Sequence, residues 1–100
     1  MVANTYKFSA EVWRYPGFAG WHFVSVPRQE SREIKLLCSV IKRGWGSIPV
    51  KARIGKTSWL TSIFPDKGKG YLMAIKASVR KKELIKMGDK VSLVIEIRGY

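Results

Sequence analysis

The chain offers one set of groups that could form a nucleophilic triad: Ser58 or Ser62, the single histidine His22, and Asp66 or Asp89. A serine attacks a carbonyl only when a base takes its proton and an acid orients that base. Nothing in the spacing gathers the three, and no Gly-x-Ser-x-Gly elbow presents either serine, so the protein is expected not to be an enzyme. Paired carboxylates for acid–base work are equally scarce. Glu30 and Glu33 share a predicted helix with Arg32 and Lys35 and read as surface ion pairs. Lys67-Gly68-Lys69-Gly70 could offer N–H groups to a phosphate, but it lacks the Gly-Lys-Ser/Thr ending and following helix of a P-loop, and reads as a hairpin turn. With one cysteine and one histidine, zinc-site spacings cannot be assembled; neither metal nor organic cofactor is expected. Cys38 falls on the apolar side of a predicted helix and is expected to be a buried, inert thiol.

Charge is the stronger signal. Nineteen Lys and Arg against seven Asp and Glu give a formal net charge of +12, a field that concentrates polyanions. Arg28, Arg32, Lys35 and Lys42 recur at i, i+4, i+7 and i+14, a narrow basic stripe away from Ile34 and Ile41. Arg43 follows, and Trp45 between two glycines could stack on a base beside the stripe or plug a barrel end. A second cluster, Lys81, Lys82 and Lys86, occupies the outer arc of a short helix, while Arg80 sits nearer Leu84 and Met87 and is expected to pair locally, with Asp89. The expected function is weak, largely sequence-nonspecific binding of nucleic acid or another polyanion through these cations. The alternative is a small-molecule or peptide groove at a barrel mouth, lined by Trp13, Trp21 and Trp59 with Phe23 and Phe64, where the hydroxyls of Thr61 and Ser62 orient the ligand. The same rings also suit the core of a domain this small.

These residues must be positioned by a single domain, because 100 residues leave no room for two cores. Tyr6, Phe8, Ala10 and Val12 alternate with Lys7, Ser9 and Glu11 as a half-buried strand, which Tyr15-Pro16-Gly17 turns toward a partner over Trp21–Val26. Pro27 opens a helix from Arg28 to about Lys42, with Ile34, Leu37, Cys38 and Ile41 on one stripe and Gly44 after its end. Val50–Ile54, Trp59–Phe64 before a Pro65-Asp66 turn, and Tyr71–Lys76 read as strands. Ser78 would cap a short helix carrying Val79, Leu84 and Ile85, and Gly88-Asp89 leads into a last strand through Val91, Leu93, Ile95 and Ile97. Six strands and two helices predict a mainly β fold, a six-stranded double-split barrel, since closure removes exposed strand edges. Gly20, Trp21, Phe23, Glu33 and Ile34 recur fifty positions later as Gly70, Tyr71, Met73, Glu83 and Leu84, which suggests duplicated β-β-α halves.

The segment Gly44-Trp45-Gly46-Ser47-Ile48-Pro49-Val50 resembles the signature of a prokaryotic family of domains of unknown function, number nineteen-oh-five. Trp21 and Phe23 before Pro27, Trp59 with Thr61-Ser62 before Phe64-Pro65, and Val79-Arg80-Lys81 followed by Gly88-Asp89-Lys90-Val91 agree with it over nearly the whole chain. The resemblance implies a small split β-barrel, distantly similar to the swapped-hairpin barrels of AbrB-like and MazE-like regulators, and no established activity. Those regulators bind DNA as dimers. A chain that supplies both halves itself is expected to be a monomer or at most a weak dimer. Where both families carry Leu-Pro or Ile-Pro before the helix, the second half has Met73-Ala74-Ile75, while the first keeps Val26-Pro27. The stretch from Met1 to Tyr15 has no apolar core of a secretory signal, and no run approaches the ~18 apolar residues of a membrane span, so a soluble cytoplasmic protein without membrane partners is expected.

Overall fold

The computed structural model describes residues 4–14, 16, 20–40, 46–66 and 70–98. Its strands are β1 (Thr5–Glu11), β2 (Trp13–Arg14), β3 (His22–Ser25), β4 (Ile48–Ile54), β5 (Thr57–Asp66), β6 (Gly70–Ala74) and β7 (Lys90–Ile97); α1 (Arg28–Val40) follows β3 and α2 (Ala77–Glu83) follows β6. The strands form one antiparallel sheet in the order β1-β7-β4-β5-β6-β3-β2, curled into a half-barrel. Period-2 alternation sets which side chains enter it. Tyr6 and Phe8 of β1, the four alternate residues Ile48, Val50, Ala52 and Ile54 of β4, and Val91, Leu93, Ile95 and Ile97 of β7 are all buried, while Lys7, Lys51 and Arg53 between them are exposed. Ile34, Leu37 and Cys38 of α1, with Val79 of α2 and Ile85 beyond it, complete one core. The mainly β class with two helices is as expected, and Cys38 is buried.

The strand count is seven, because the expected first strand breaks. Tyr6 to Glu11 pair with β7, whereas Trp13 and Arg14 pair with Phe23 and His22 of β3. Between them the buried Val12 donates its N–H to the Asp89 carbonyl (2.8 Å) and accepts from the Gly88 N–H (2.7 Å). Both edges of the sheet are therefore arms of one bent chain. An edge presents unpaired N–H and C=O groups. The bend lets ten residues serve two distant neighbours, and the simple hairpin expected between the first strand and Trp21–Val26 is reduced to two residue pairs.

The duplication is real, with a different register. Val26 N–H bonds the Tyr71 carbonyl (2.8 Å) and Ile75 N–H bonds the His22 carbonyl (2.9 Å), so that Val26 corresponds to Ile75 and His22 to Tyr71, each forty-nine positions apart. Ser31 N–H bonds Pro27 O as Arg80 N–H bonds Lys76 O, at the same offset. The fifty-residue offset matched Phe23 with Met73, a half-buried outward residue with a fully buried one. A one-residue slip exchanges the two faces of a strand, so only the forty-nine-residue register sets Val24 and Val26 against Met73 and Ile75, all buried. Each half is a β-β-α-β unit, β1/β2-β3-α1-β4 and β5-β6-α2-β7, and the antiparallel pairs β3·β6 and β4·β7 join equivalent strands across a pseudo-twofold.

Three local expectations are corrected. Pro65 and Asp66 are not a turn but continue β5, paired with Tyr71 and Gly70. β4 reaches only Ile63 there, so this end of β5 has one neighbour and tolerates a residue without N–H. Ser78 does not cap α2; the cap position is Lys76, without a side-chain bond, and Ser78 lies exposed inside the first turn. Leu84 is not in the core. It ends α2 in the left-handed region (φ 55°), which throws its side chain into solvent at 82% exposure and turns Ile85 inward. The expected Lys67–Lys69 turn, the Tyr15-Pro16-Gly17 turn apart from Pro16, and the helix end at Ile41–Gly44 lie outside the described residues.

Two substitutions test these backbone assignments by urea denaturation. Leu84→Gly is expected to stabilise by ~1 kcal/mol, because the left-handed conformation costs a leucine ~1–2 kcal/mol and the side chain packs on nothing. Gly70→Ala is expected to destabilise by ~2 kcal/mol or more: φ is 101°, and an added Cβ would lie 2.5 Å from Ser31 Oγ.

Candidate functional site

β6 runs between β5 and β3. Met73 and Ile75 point into the core and the small Ala74 between them points out, opposite Phe23 of β3. Larger side chains stand on both flanks: Trp21 at the entry to β3, and Leu60 and Phe64 on β5, all exposed. A small residue between tall neighbours leaves a groove. The cavity here has a volume of about 710 Å³, with Ala74 and Ile75 among its lining, Trp21 and Phe64 on its sides, and Trp59, Thr61 and Ser62 along β5. Trp21 keeps 53% of its surface in water, which leaves roughly 2–3 kcal/mol of apolar burial unrealised.

Polar groups gather in the same cavity. His22 lines it, and its Nδ1–H donates to the Gly20 carbonyl at 2.5 Å. A carbonyl only accepts, so in the neutral ring Nε2 carries the lone pair. Ser62 lines the cavity too, but the group orienting His22 is a backbone carbonyl and neither Asp66 nor Asp89 is among the lining residues, so the triad considered from sequence is not assembled. Arg80 and Lys76 lie at the α2 end. Arg80 Nε donates to the Ile75 carbonyl (3.1 Å), and the Asp89 carboxylate accepts from Lys86 N–H (2.9 Å) instead of from Arg80, which corrects the expected pairing. The guanidinium satisfies the carbonyl at the strand end.

The equivalent surface on the other side of the duplication carries different residues, and an indole is held across it. Phe23 corresponds to Leu72, so Trp13, which pairs with Phe23, takes the place of Phe64, which pairs with Leu72. Ser25 takes the place of Ala74. Trp13 Nε1 donates to Ser25 Oγ (3.1 Å) and its ring stacks on Phe23 at 5.1 Å, so the indole lies down over that half where Phe64 has no hydroxyl to hold it. Trp21 corresponds to Gly70, which offers no wall and lies against Ser31. An indole is held across one of the two equivalent surfaces and none is held across the other.

Of the groove residues read from sequence, Trp21, Trp59, Thr61 and Ser62 line the cavity; Trp13 does not, being held on Phe23, which in turn stacks on Trp21 at 6.0 Å. His22, Lys76 and Arg80 were missed as groove residues. Among the polyanion candidates, Arg28, Arg32 and Lys35 of α1 and Lys81, Lys82 and Lys86 at α2 are exposed. Lys42, Arg43 and Trp45 lie outside the described residues. Exposed cations also occupy the outer face of the sheet, where Lys51 lies opposite Glu96 and Lys90 opposite Glu11, so positive charge is not confined to the helices. Among the described residues no three His, Cys, Asp or Glu side chains gather as a metal site, and no helix is long and apolar enough to cross a membrane.

The family model for a domain of unknown function (DUF1905) matches residues 8–95, and the chain belongs to that family. No curated protein matches it.

Tyr71, the counterpart of His22 in the duplication, packs against the core, and its phenol is pushed above the ordinary value of 10.0, first by burial and then by its coulombic interaction with Cys38. A raised folded-state pKa holds its full stabilising effect below pH 10 and loses it as pH climbs through the folded value. The urea midpoint is expected to fall more between pH 9 and pH 11 for the parent chain than for Tyr71→Phe; equal falls would show that the phenol does not contribute.

Proposed function

We propose that this DUF1905 protein is a non-catalytic binding module that takes a small, planar organic ligand in the groove over β6. The observation that carries the reading is the open cavity of about 710 Å³ between Trp21 and Phe64, a volume within the ~300–1,000 Å³ of small-molecule sites. Ring faces supply stacking area without directional demands, and the Thr61 and Ser62 hydroxyls and His22 Nε2 supply orientation. Such a site needs only a few polar groups. The duplication supports the reading as well: at the counterpart surface the same backbone holds an indole against Ser25, so the gap between Trp21 and Phe64 is not forced by the fold.

Titration with ring fragments such as indole, quinoline and naphthalene derivatives, followed by calorimetry and thermal shift, tests it. Binding is expected to raise the melting temperature at both low and high salt, since a ligand that selects the folded state stabilises it by mass action. Ala74→Leu, which fills the floor, is expected to weaken binding at least tenfold; unchanged affinity in that variant rejects the groove.

A second reading rests on a separate observation: Arg28, Arg32 and Lys35 are exposed along one side of α1, a row that suits nucleic acid or another polyanion. Replacing the three by Gln is expected to reduce the log–log salt slope of oligonucleotide binding by about 2–3, at ~0.7–0.9 for each phosphate that is no longer neutralised. An unaltered slope removes α1 from the interface.

A further inference from the structure

Within the groove reading, which this inference rests on, the ligand class can be narrowed: we infer that the groove takes a planar aromatic ring bearing an oxyanion, a carboxylate or a phosphate, with Arg80 as its counter-charge. Arg80 brings to its position a charge that its counterpart Ser31 does not. Ser31 Oγ donates to the Val26 carbonyl at 3.1 Å, and Arg80 Nε donates to the equivalent Ile75 carbonyl at 3.1 Å. The fold satisfies this strand-end carbonyl with a neutral hydroxyl in one half, so the structural task needs no charge. The guanidinium brings one regardless, at the only one of the two positions that borders the cavity.

The Nε bond also fixes the guanidinium. A side chain of high rotamer freedom is anchored at Nε, which leaves the two Nη groups as a rigid fork of the kind that grips carboxylate or phosphate. Among the described residues no carboxylate pairs with Arg80. Lys76 lies at the same end of the cavity, and the cavity lining contains no Asp or Glu beside the two cations. The ring faces of Trp21 and Phe64 stand further along the same groove. An apolar aromatic section beside a fixed cation complements a ligand with the same two parts.

The test compares three ligands of one shape class: 2-naphthoate, 2-naphthyl phosphate and the neutral 2-naphthamide, titrated calorimetrically in 150 mM salt. The protein is expected to bind at least one of the anions at least tenfold more tightly than the amide, and the tighter anion identifies carboxylate or phosphate as the natural group. Arg80→Ser copies the bond that Ser31 makes and is expected to fold; it should bring the anions down to the affinity of the amide while leaving amide binding intact. Arg80→Gln, which can also donate to the Ile75 carbonyl, serves the same comparison if the serine variant melts below the assay temperature. Equal binding of all three ligands by the parent chain, or an anion preference that survives both substitutions, overturns the inference and leaves the groove standing. Failure of all three to bind overturns the groove reading with it.

Discussion

The structure depends on the antiparallel pairing of β3 with β6. Those two strands are the same element of a duplicated unit laid head to tail, and the bonds that close their ends, Val26 N–H to Tyr71 O and Ile75 N–H to His22 O, are equivalent. Because alternation along a strand leaves no intermediate register, this pairing fixes which side chains face inward. It buries Val24, Val26, Met73 and Ile75 together, and it commits Phe23 and Ala74 to the outer surface as neighbours. The helix after each strand then starts at a defined place, and the residue four positions into it, Ser31 in one case and Arg80 in the other, reaches back to the same carbonyl.

Symmetry of the backbone makes the differences between the halves informative. Four matched positions decide whether the outer surface is open: Phe64 against Trp13, Ala74 against Ser25, Trp21 against Gly70, and Arg80 against Ser31. At one surface a hydroxyl pins an indole of its own half, and a glycine contributed by the other half lets the helix approach. At the groove the hydroxyl is missing, the position of that glycine is an indole, and the short hydroxyl side chain gives way to a guanidinium. All four changes act on one stretch of surface, in a molecule whose core positions remain apolar in both halves.

Much of the architecture was legible in the sequence. Strict alternation from Val91 to Ile97 and from Tyr6 to Val12 marked strands, and Pro27 marked the start of a helix that begins at Arg28. What local patterns missed was set by tertiary geometry. Val12 belongs to the alternating run, and only the curl of the sheet makes it the point where the chain changes neighbours. Leu84 has the polarity of a core residue and the conformation of a glycine, and that conformation faces it outward. Residue type alone aligns the repeat one residue out of register, because Phe23 and Met73 are alike in polarity but occupy opposite faces of their strands. Trp21, Trp59, Thr61 and Ser62 could be assigned to a groove because aromatic rings and hydroxyls cluster around two strands. Arg80 could not, because its partner is a backbone carbonyl, and backbone partners carry no signal in residue type.

The two equivalent halves of the molecule are expected to carry one site. Amide chemical-shift mapping with an aromatic oxyanion tests it most directly, since each groove position has a counterpart to serve as its control. A single site predicts perturbations at Trp21, Phe64, Ala74 and Arg80 that are absent at their counterparts Gly70, Trp13, Ser25 and Ser31. Perturbations of equal size in both sets, or confined to the exposed cations of α1, would contradict it.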